Sequence, residues 1–214
     1  MQRLILVRHG ITEWNKTGKF QGHSDVPLSE EGEKQAEALR QRLADYSFQA
    51  VYSSPLSRAL STAQVALPYA TIIQDARLKE LNFGSFEGKD LAENEQHPAW
   101  QAWYAEPFLR QAPQGESYQQ LRERVVDWFK SLNLAHQSRH DGAHGGIVIA
   151  FSHSGSIQML LSHIIGVEHP KWRKRFYLRH SSLSSILFQE DHAVIESIND
   201  ARHLEDGTYD PFND

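Results

Sequence analysis

Arg8 and His9 follow directly on the apolar run Leu4-Ile5-Leu6-Val7 and are stopped by Gly10. The run is short, continuous and apolar, which reads as a strand buried on both faces, so a cation and a nucleophile stand at its carboxyl end. The arrangement recurs. Ala50-Val51-Tyr52 leads into Ser53-Ser54-Pro55 with Arg58 one turn on, and the apolar stretch at residues 147–151 leads into Ser152-His153-Ser154-Gly155. In a parallel sheet such ends share the edge at which α/β proteins bind ligands. Each motif alone occurs often by chance. Together they bring two guanidinium groups and two imidazoles to one pocket, and the guest such a pocket suits is a phosphate.

An imidazole flanked by arginines can attack phosphorus. The guanidinium charges lower its pKa, which keeps it neutral and nucleophilic near pH 7 while they hold the phosphoryl oxygens. The transferring group spreads charge over three oxygens and needs several fixed donors; Arg8, Arg58, His153 and the backbone N–H groups at Ser154 are the candidates. A leaving alkoxide also needs a proton. Glu80, a few residues after the short apolar strand expected at Thr71-Ile72-Ile73, is the best-placed carboxylic acid.

The elements that must position these groups are legible as alternating strands and helices. Ser29 opens a helix with Ala36, Leu39 and Leu43 on one stripe, and Ser54 followed by Pro55 reads as an N-cap with proline at the first helical position, leading into residues 56–67. Ser117 and Gln120 form a capping box before Leu121, Val125, Trp128, Phe129 and Leu132, an apolar helical stripe. A helix over 154–165, ended by Gly166, places unpaired backbone N–H groups beside His153. Later strands at 184–188 and 194–197, joined by a turn at Glu190-Asp191, suit sheet edges. The expected fold is α/β, a three-layer α/β/α sandwich with a mostly parallel central sheet. One domain over residues 1–214 is expected, with a lid-like excursion at about 89–115. In that excursion Trp100, Trp103, Tyr104 and Phe108 form either an apolar wall for the pocket or a satellite cluster on the core. The polar residues 205–214 read as a frayed end.

Composition narrows the function classes. The 214 residues carry 22 basic and 27 acidic side chains, a net charge of −5, without a basic stripe, which argues against nucleic acid as a partner. There is no cysteine, hence no disulfide, thiolate metal site or cysteine nucleophile. The first apolar run is interrupted at Arg8, unlike a secretory leader, and no stretch approaches membrane-spanning length. A cytoplasmic protein with no membrane partner is expected, and the acceptor pattern Asn15-Lys16-Thr17 is read as accidental.

The segments LVRHGITEWN, QGHSDVPLSEEGEKQA, VYSSPLSRALSTA, RLKELNFGSFEG and IAFSHSGSI, in this order and spacing, resemble the histidine phosphatase superfamily in its phosphoglycerate mutase-like branch. The resemblance runs from Arg3 to about Ser185. It implies that His9 becomes the phosphohistidine, that Arg8, Arg58 and His153 hold the phosphoryl group, and that Glu80 is acid and then base. It also implies that Asn15, Gln21 and Gly22 touch phosphate or substrate, with Ser154 at the helix start. A small-molecule phosphomonoester is the implied partner, and no metal or nucleotide cofactor is implied. Ile11, Ser154 and Gln158 depart from the residues most frequent at their positions, which bears on substrate preference rather than on activity. The excursion lacks the longer, basic insertions of cofactor-dependent mutases, so a phosphatase similar to the broad-specificity and α-ribazole phosphatases is expected. If the aromatic wall forms, bulky or aromatic esters are preferred.

Two other classes were weighed. A catalytically inactive phosphate-binding scaffold is disfavoured by the complete set of charged groups. A metallohydrolase is suggested by twelve histidines and the series His136, His140 and His144, but Asp141-Gly142 and Gly145-Gly146 break any helix that would align them. The stretch Gly84 to Lys89 is one residue short of a P-loop, and Ser154 lacks the glycine of a nucleophile elbow.

Overall fold

The computed structural model describes residues 2–134, 146–167, 177–189 and 192–204. Its strands are β1 (Gln2–Arg8), β2 (Ala50–Ser53), β3 (Ile72–Gln74), β4 (Ile147–Ser152), β5 (Leu183–Gln189) and β6 (His192–Asp200). Its helices are α1 (Glu13–Lys16), α2 (Glu30–Leu43), α3 (Ser57–Ala66), α4 (Leu91–Glu95), α5 (Pro98–Ala105), α6 (Tyr118–Ser131) and α7 (Ser154–Ile164). The six strands form one sheet in the order β3-β2-β4-β1-β5-β6. β1 to β4 run parallel, whereas β5 runs antiparallel to β1 and β6 antiparallel to β5.

The continuous apolar character of β1 has a simple cause: successive side chains enter opposite layers. Leu4 and Leu6 join the core built with Leu121, Val125 and Trp128 of α6 and Leu160 of α7. Ile5 and Val7 join Leu39 and Leu43 of α2 and Ala63 of α3 on the other face. The sheet is thus covered on both sides, as the three-layer sandwich requires. The helix starts expected at Ser29 and Ser117 are found, with Ser29 accepting from Gly32 N and Ser117 sharing a full capping box with Gln120.

Two expectations are corrected. α3 begins at Ser57 rather than Pro55, and its first N–H donates to Asp25 Oδ1 at 2.7 Å, so a loop carboxylate takes the place foreseen for Ser54. The Ser54 hydroxyl accepts from Leu56 N at 3.3 Å, just ahead of the helix, and is engaged by His153 Nε2 at 2.8 Å. β5 is not a sheet edge but lies between β1 and β6. In the excursion, Trp100 and Trp103 are 2% and 1% exposed and belong to the core shared with Phe86 and Tyr118, so the satellite-cluster reading holds for them. The residues at the Glu190-Asp191 turn and at 205–214 lie outside those described.

α2 is set against the chain just beyond His9. A Cβ on Gly32 would stand 2.2 Å from the Ile11 carbonyl oxygen, and one on Gly10 would stand 2.6 Å from the Gly32 carbonyl oxygen. By helix propensity alone, Gly32→Ala would stabilise by up to about 1 kcal/mol. The close approach reverses the sign, and the substitution is expected to destabilise by about 1–3 kcal/mol. Urea denaturation of the variant measures this; an increase in stability would refute the packing argument.

Candidate active site

His9 is fixed through its backbone and its ring. Its N–H donates to Ser152 O on β4 at 3.0 Å, and its carbonyl accepts from Ser181 N ahead of β5 at 3.2 Å. Nδ1 lies 2.7 Å from Gly10 O. A carbonyl only accepts, so Nδ1 carries the proton and Nε2 keeps the lone pair. The ring is 4% exposed. Burial, and then the charges of Arg58 and Arg8, hold its pKa well below the usual histidine value, so the neutral nucleophilic form prevails at pH 7.

The cations around it are held by carbonyl oxygens. Arg58, fully buried on the first turn of α3, donates from Nη2 to Gly22 O at 2.7 Å and from Nη1 to Ser24 O at 3.0 Å. The Gln21 amide completes this grip, its oxygen accepting from Arg58 Nε at 2.8 Å and its nitrogen donating to Thr12 Oγ1 at 2.7 Å. Arg8, the last residue of β1, donates from Nη1 to Leu178 O. Its Nη2 lies 2.7 Å from His180 Nε2, while its Nε is buried without a partner. Burial lowers both guanidinium pKa values to about 10, which leaves both charged at neutral pH. Among the described residues neither arginine is ion-paired.

His153 occupies the N-cap of α7 and is fully buried, its ring centroid 5.1 Å from that of His9. Burial followed by the Arg58 charge keeps it neutral. With Nε2 on Ser54, its Nδ1 has no partner among the described residues. Glu80 is 8% exposed; Oε1 accepts from Leu81 N at 2.8 Å and Oε2 from Gly155 N at 2.9 Å. The latter bond needs a bare backbone at 155, because a Cβ there would stand 2.3 Å from Glu80 Oε1. Arg124 on α6 ties the strand end beneath the carboxylate, donating to the carbonyls of Arg77, Lys79 and Glu80 while pairing with both oxygens of Glu116.

These groups meet at a cavity of about 180 Å³ lined by Arg8, His9, Asn15, Gly18, Lys19, Phe20, Gln21, Glu80 and Ser154. Arg58, His153 and Gly22 are absent from its lining; Arg58 adjoins it through Gln21 and His153 through the His9 ring. Asn15 Oδ1 is occupied by the Thr12 backbone and hydroxyl. The predicted aromatic wall is not there: Trp100 reaches the cavity only through Phe20, whose ring centroid lies 4.8 Å away. Lys19 and Phe20 were missed although they directly precede Gln21. Arg124 and His180 were also missed: one reads as an ordinary charged helix residue, and the other precedes a strand whose antiparallel direction the sequence does not announce. The His136, His140 and His144 series lies outside the described residues, and among those described no group of three or more His, Cys, Asp or Glu is placed to hold a metal. No described helix is long and apolar enough to cross a membrane.

A neutral imidazole, a guanidinium and a carboxyl at one small cavity, with a second guanidinium held next to it by Gln21, can transfer a phosphoryl group. The family model for the histidine phosphatase superfamily, branch 1, matches residues 4–201. The chain belongs to that superfamily. Among curated members it is similar to the Escherichia coli O1:K1 protein named "Probable phosphoglycerate mutase GpmB", at 33% identity over 215 residues and 96% of each chain. Among solved members it is similar to a phosphoserine phosphatase mutant from Entamoeba histolytica in complex with phosphoserine, with a TM-score of 0.81 at 28% identity over 96% of this chain and 100% of that one. The α-ribazole phosphatase from Shigella flexneri gives a TM-score of 0.81 at 28% identity over 94% and 97% of the two chains.

The buried imidazoles tie stability to pH. His9, His153 and His180 all have folded pKa values below the usual 6.5. Above that value both folded and unfolded chains hold them neutral; below it only the unfolded chain takes up protons, so stability falls as pH is lowered. Melting curves between pH 8 and pH 5 are expected to show a decline beginning near pH 6.5, by up to about 1.4 kcal/mol per pH unit for each ring. A flat profile would show that the rings are not buried in neutral form.

Proposed function

We propose that the protein is a phosphatase of small phosphomonoesters that needs no metal and works through a phosphohistidine on His9, residues 1–214 forming one catalytic domain. The observation that carries this reading is the His9 ring itself, neutral, with Nδ1–H committed to Gly10 O and Nε2 left as the nucleophile. Membership of the superfamily and the phosphatases among its solved relatives support hydrolysis of phosphomonoesters.

In the first step Nε2 forms a bond to phosphorus as the ester P–O bond breaks. Arg8, Arg58 and His153 hold the oxygens that carry the developing charge, and Glu80, protonated, gives its proton to the departing alkoxide. In the second step Glu80 takes a proton from water, whose oxygen attacks phosphorus and breaks the N–P bond. Phosphate leaves and His9 returns to its neutral form. The Gly10 carbonyl stabilises the positive phosphoimidazole through Nδ1–H in between.

The substrate is small, in keeping with the cavity volume, and the Lys19 ammonium beside Phe20 suits a leaving group that bears an anionic or polar end. The expected preference for bulky aromatic esters is withdrawn with the wall on which it rested. Mutase activity is the second reading, favoured by the name that the 33% identical Escherichia coli relative carries.

Phosphate release from p-nitrophenyl phosphate, phosphoserine and 3-phosphoglycerate, in the presence of a chelator, separates these readings. Release is expected from the wild type and absent from His9→Ala. Glu80→Gln is expected to lose about a hundredfold to ten-thousandfold on the alkyl esters and less on p-nitrophenyl phosphate, whose leaving group needs no proton. Isomerisation of 3-phosphoglycerate with a bisphosphate primer, without hydrolysis, would establish the mutase instead.

A further inference from the structure

We propose that His180 is a positioning residue for phosphoryl binding: its imidazole accepts a hydrogen bond from Arg8 and thereby fixes the guanidinium beside His9. The proposal rests on the reading of His9 and Arg8 given above and adds a residue to that machinery.

β5 runs antiparallel to β1, so the residues leading into β5 lie at the carboxyl end of β1, where the reacting groups stand. The two segments are stitched there by Arg8 N to Ser182 O at 3.1 Å and Ser181 N to His9 O at 3.2 Å. Beyond this backbone stitch, Leu178 O takes Nη1 of Arg8 and His180 Nε2 takes Nη2 at 2.7 Å. A guanidinium has only donors, so Nε2 must be the lone-pair nitrogen and Nδ1 must carry the proton. The ring centroid of His180 lies 5.8 Å from that of His9. Burial and the Arg8 charge push its pKa down to about 2, which agrees with a permanently neutral acceptor. Ser181, the residue after it, is fully buried with φ of 56°, a left-handed conformation that a non-glycine residue adopts only when its surroundings impose it.

The chemistry explains why an imidazole suits this place. A carboxylate would hold Arg8 more strongly but would cancel its charge and compete with the phosphate for it. A neutral nitrogen acceptor orients the fork and leaves the charge for the substrate. Without His180 the guanidinium keeps only the Leu178 carbonyl as an anchor, so its orientation toward the phosphoryl oxygens is less fixed.

The test uses His180→Ala, His180→Gln and His180→Asn in the full chain, with inorganic phosphate affinity measured by titration calorimetry and kcat/KM by p-nitrophenyl phosphate turnover. Losing a hydrogen bond to a charged group is expected to weaken phosphate binding and kcat/KM by about tenfold to a hundredfold in the Ala variant. The Gln amide oxygen reaches the place of Nε2 and is expected to restore most of the loss, whereas the shorter Asn amide stands at Nδ1 and is not. In an Arg8→Met background, His180→Ala is expected to cost nothing further. Equal phosphate affinity in the wild type and the Ala variant, or an undiminished loss in the Arg8→Met background, overturns the proposal. If the Ala variant does not fold, equal affinity of the Gln and Asn variants overturns it as well. Phosphate binding needs no turnover, so these outcomes are separate from failure of the phosphatase reading, which persistent hydrolysis by His9→Ala would signal.

Discussion

The site depends on a way of burying positive charge without neutralising it. Arg8 and Arg58 are held by the carbonyls of Leu178, Gly22 and Ser24, by the Gln21 amide and by a neutral imidazole, with no carboxylate in ion-pair contact among the described residues. Carbonyl dipoles fix the direction of a guanidinium and compensate part of its lost hydration, yet leave its unit charge for a guest. Burial first, and then the same charges, keep His9 and His153 neutral. Neutral imidazoles and charged guanidinium groups are thus kept side by side in one buried arrangement.

Holding arginines by main-chain oxygens places demands on the backbone, because the loops that present those oxygens must themselves be rigid. Glu87 answers this for the turn under Arg58, its carboxylate accepting from the N–H groups of His23, Ser24 and Phe83. Arg124 does so for the chain carrying Glu80, where contacts to the carbonyls of Arg77, Lys79 and Glu80 and the Glu116 pair lock the loop to α6. The acidic groups therefore act one layer away from the cations, on the loops. Among the described residues, the carboxyl of Glu80 accepts from the backbone N–H groups of Leu81 and Gly155.

How much of this was legible in the sequence follows from what kind of signal each residue gives. Arg8, His9, Arg58 and His153 stand at the ends of apolar runs, and the parallel arrangement of β1, β2 and β4 brings those ends together, so both the fold and the centre of the site could be anticipated. Ser54 was misread because a serine before a proline is a good helix cap locally, while the choice between capping α3 and contacting His153 is made by partners about a hundred residues away. Trp100 and Trp103 could have served a wall or a core, since aromatic composition does not say which side of an excursion faces inward. His180 and Arg124 were invisible for a different reason. Their roles come from geometry between elements distant in sequence, and a lone histidine before a strand or an arginine on an amphipathic helix carries no local mark of it.

The placement of β1 between β4 and β5 has a consequence for the making of the protein. Arg8 finds its Leu178 acceptor 170 residues further along the chain. At ribosomal rates of about 5–20 residues per second, β1 spends on the order of ten to thirty seconds with neither neighbour available and both of its hydrogen-bonding edges open. A pocket that depends on both neighbours of β1 therefore cannot assemble progressively during synthesis. It closes in a late event, when the arriving β5 covers the second edge of β1.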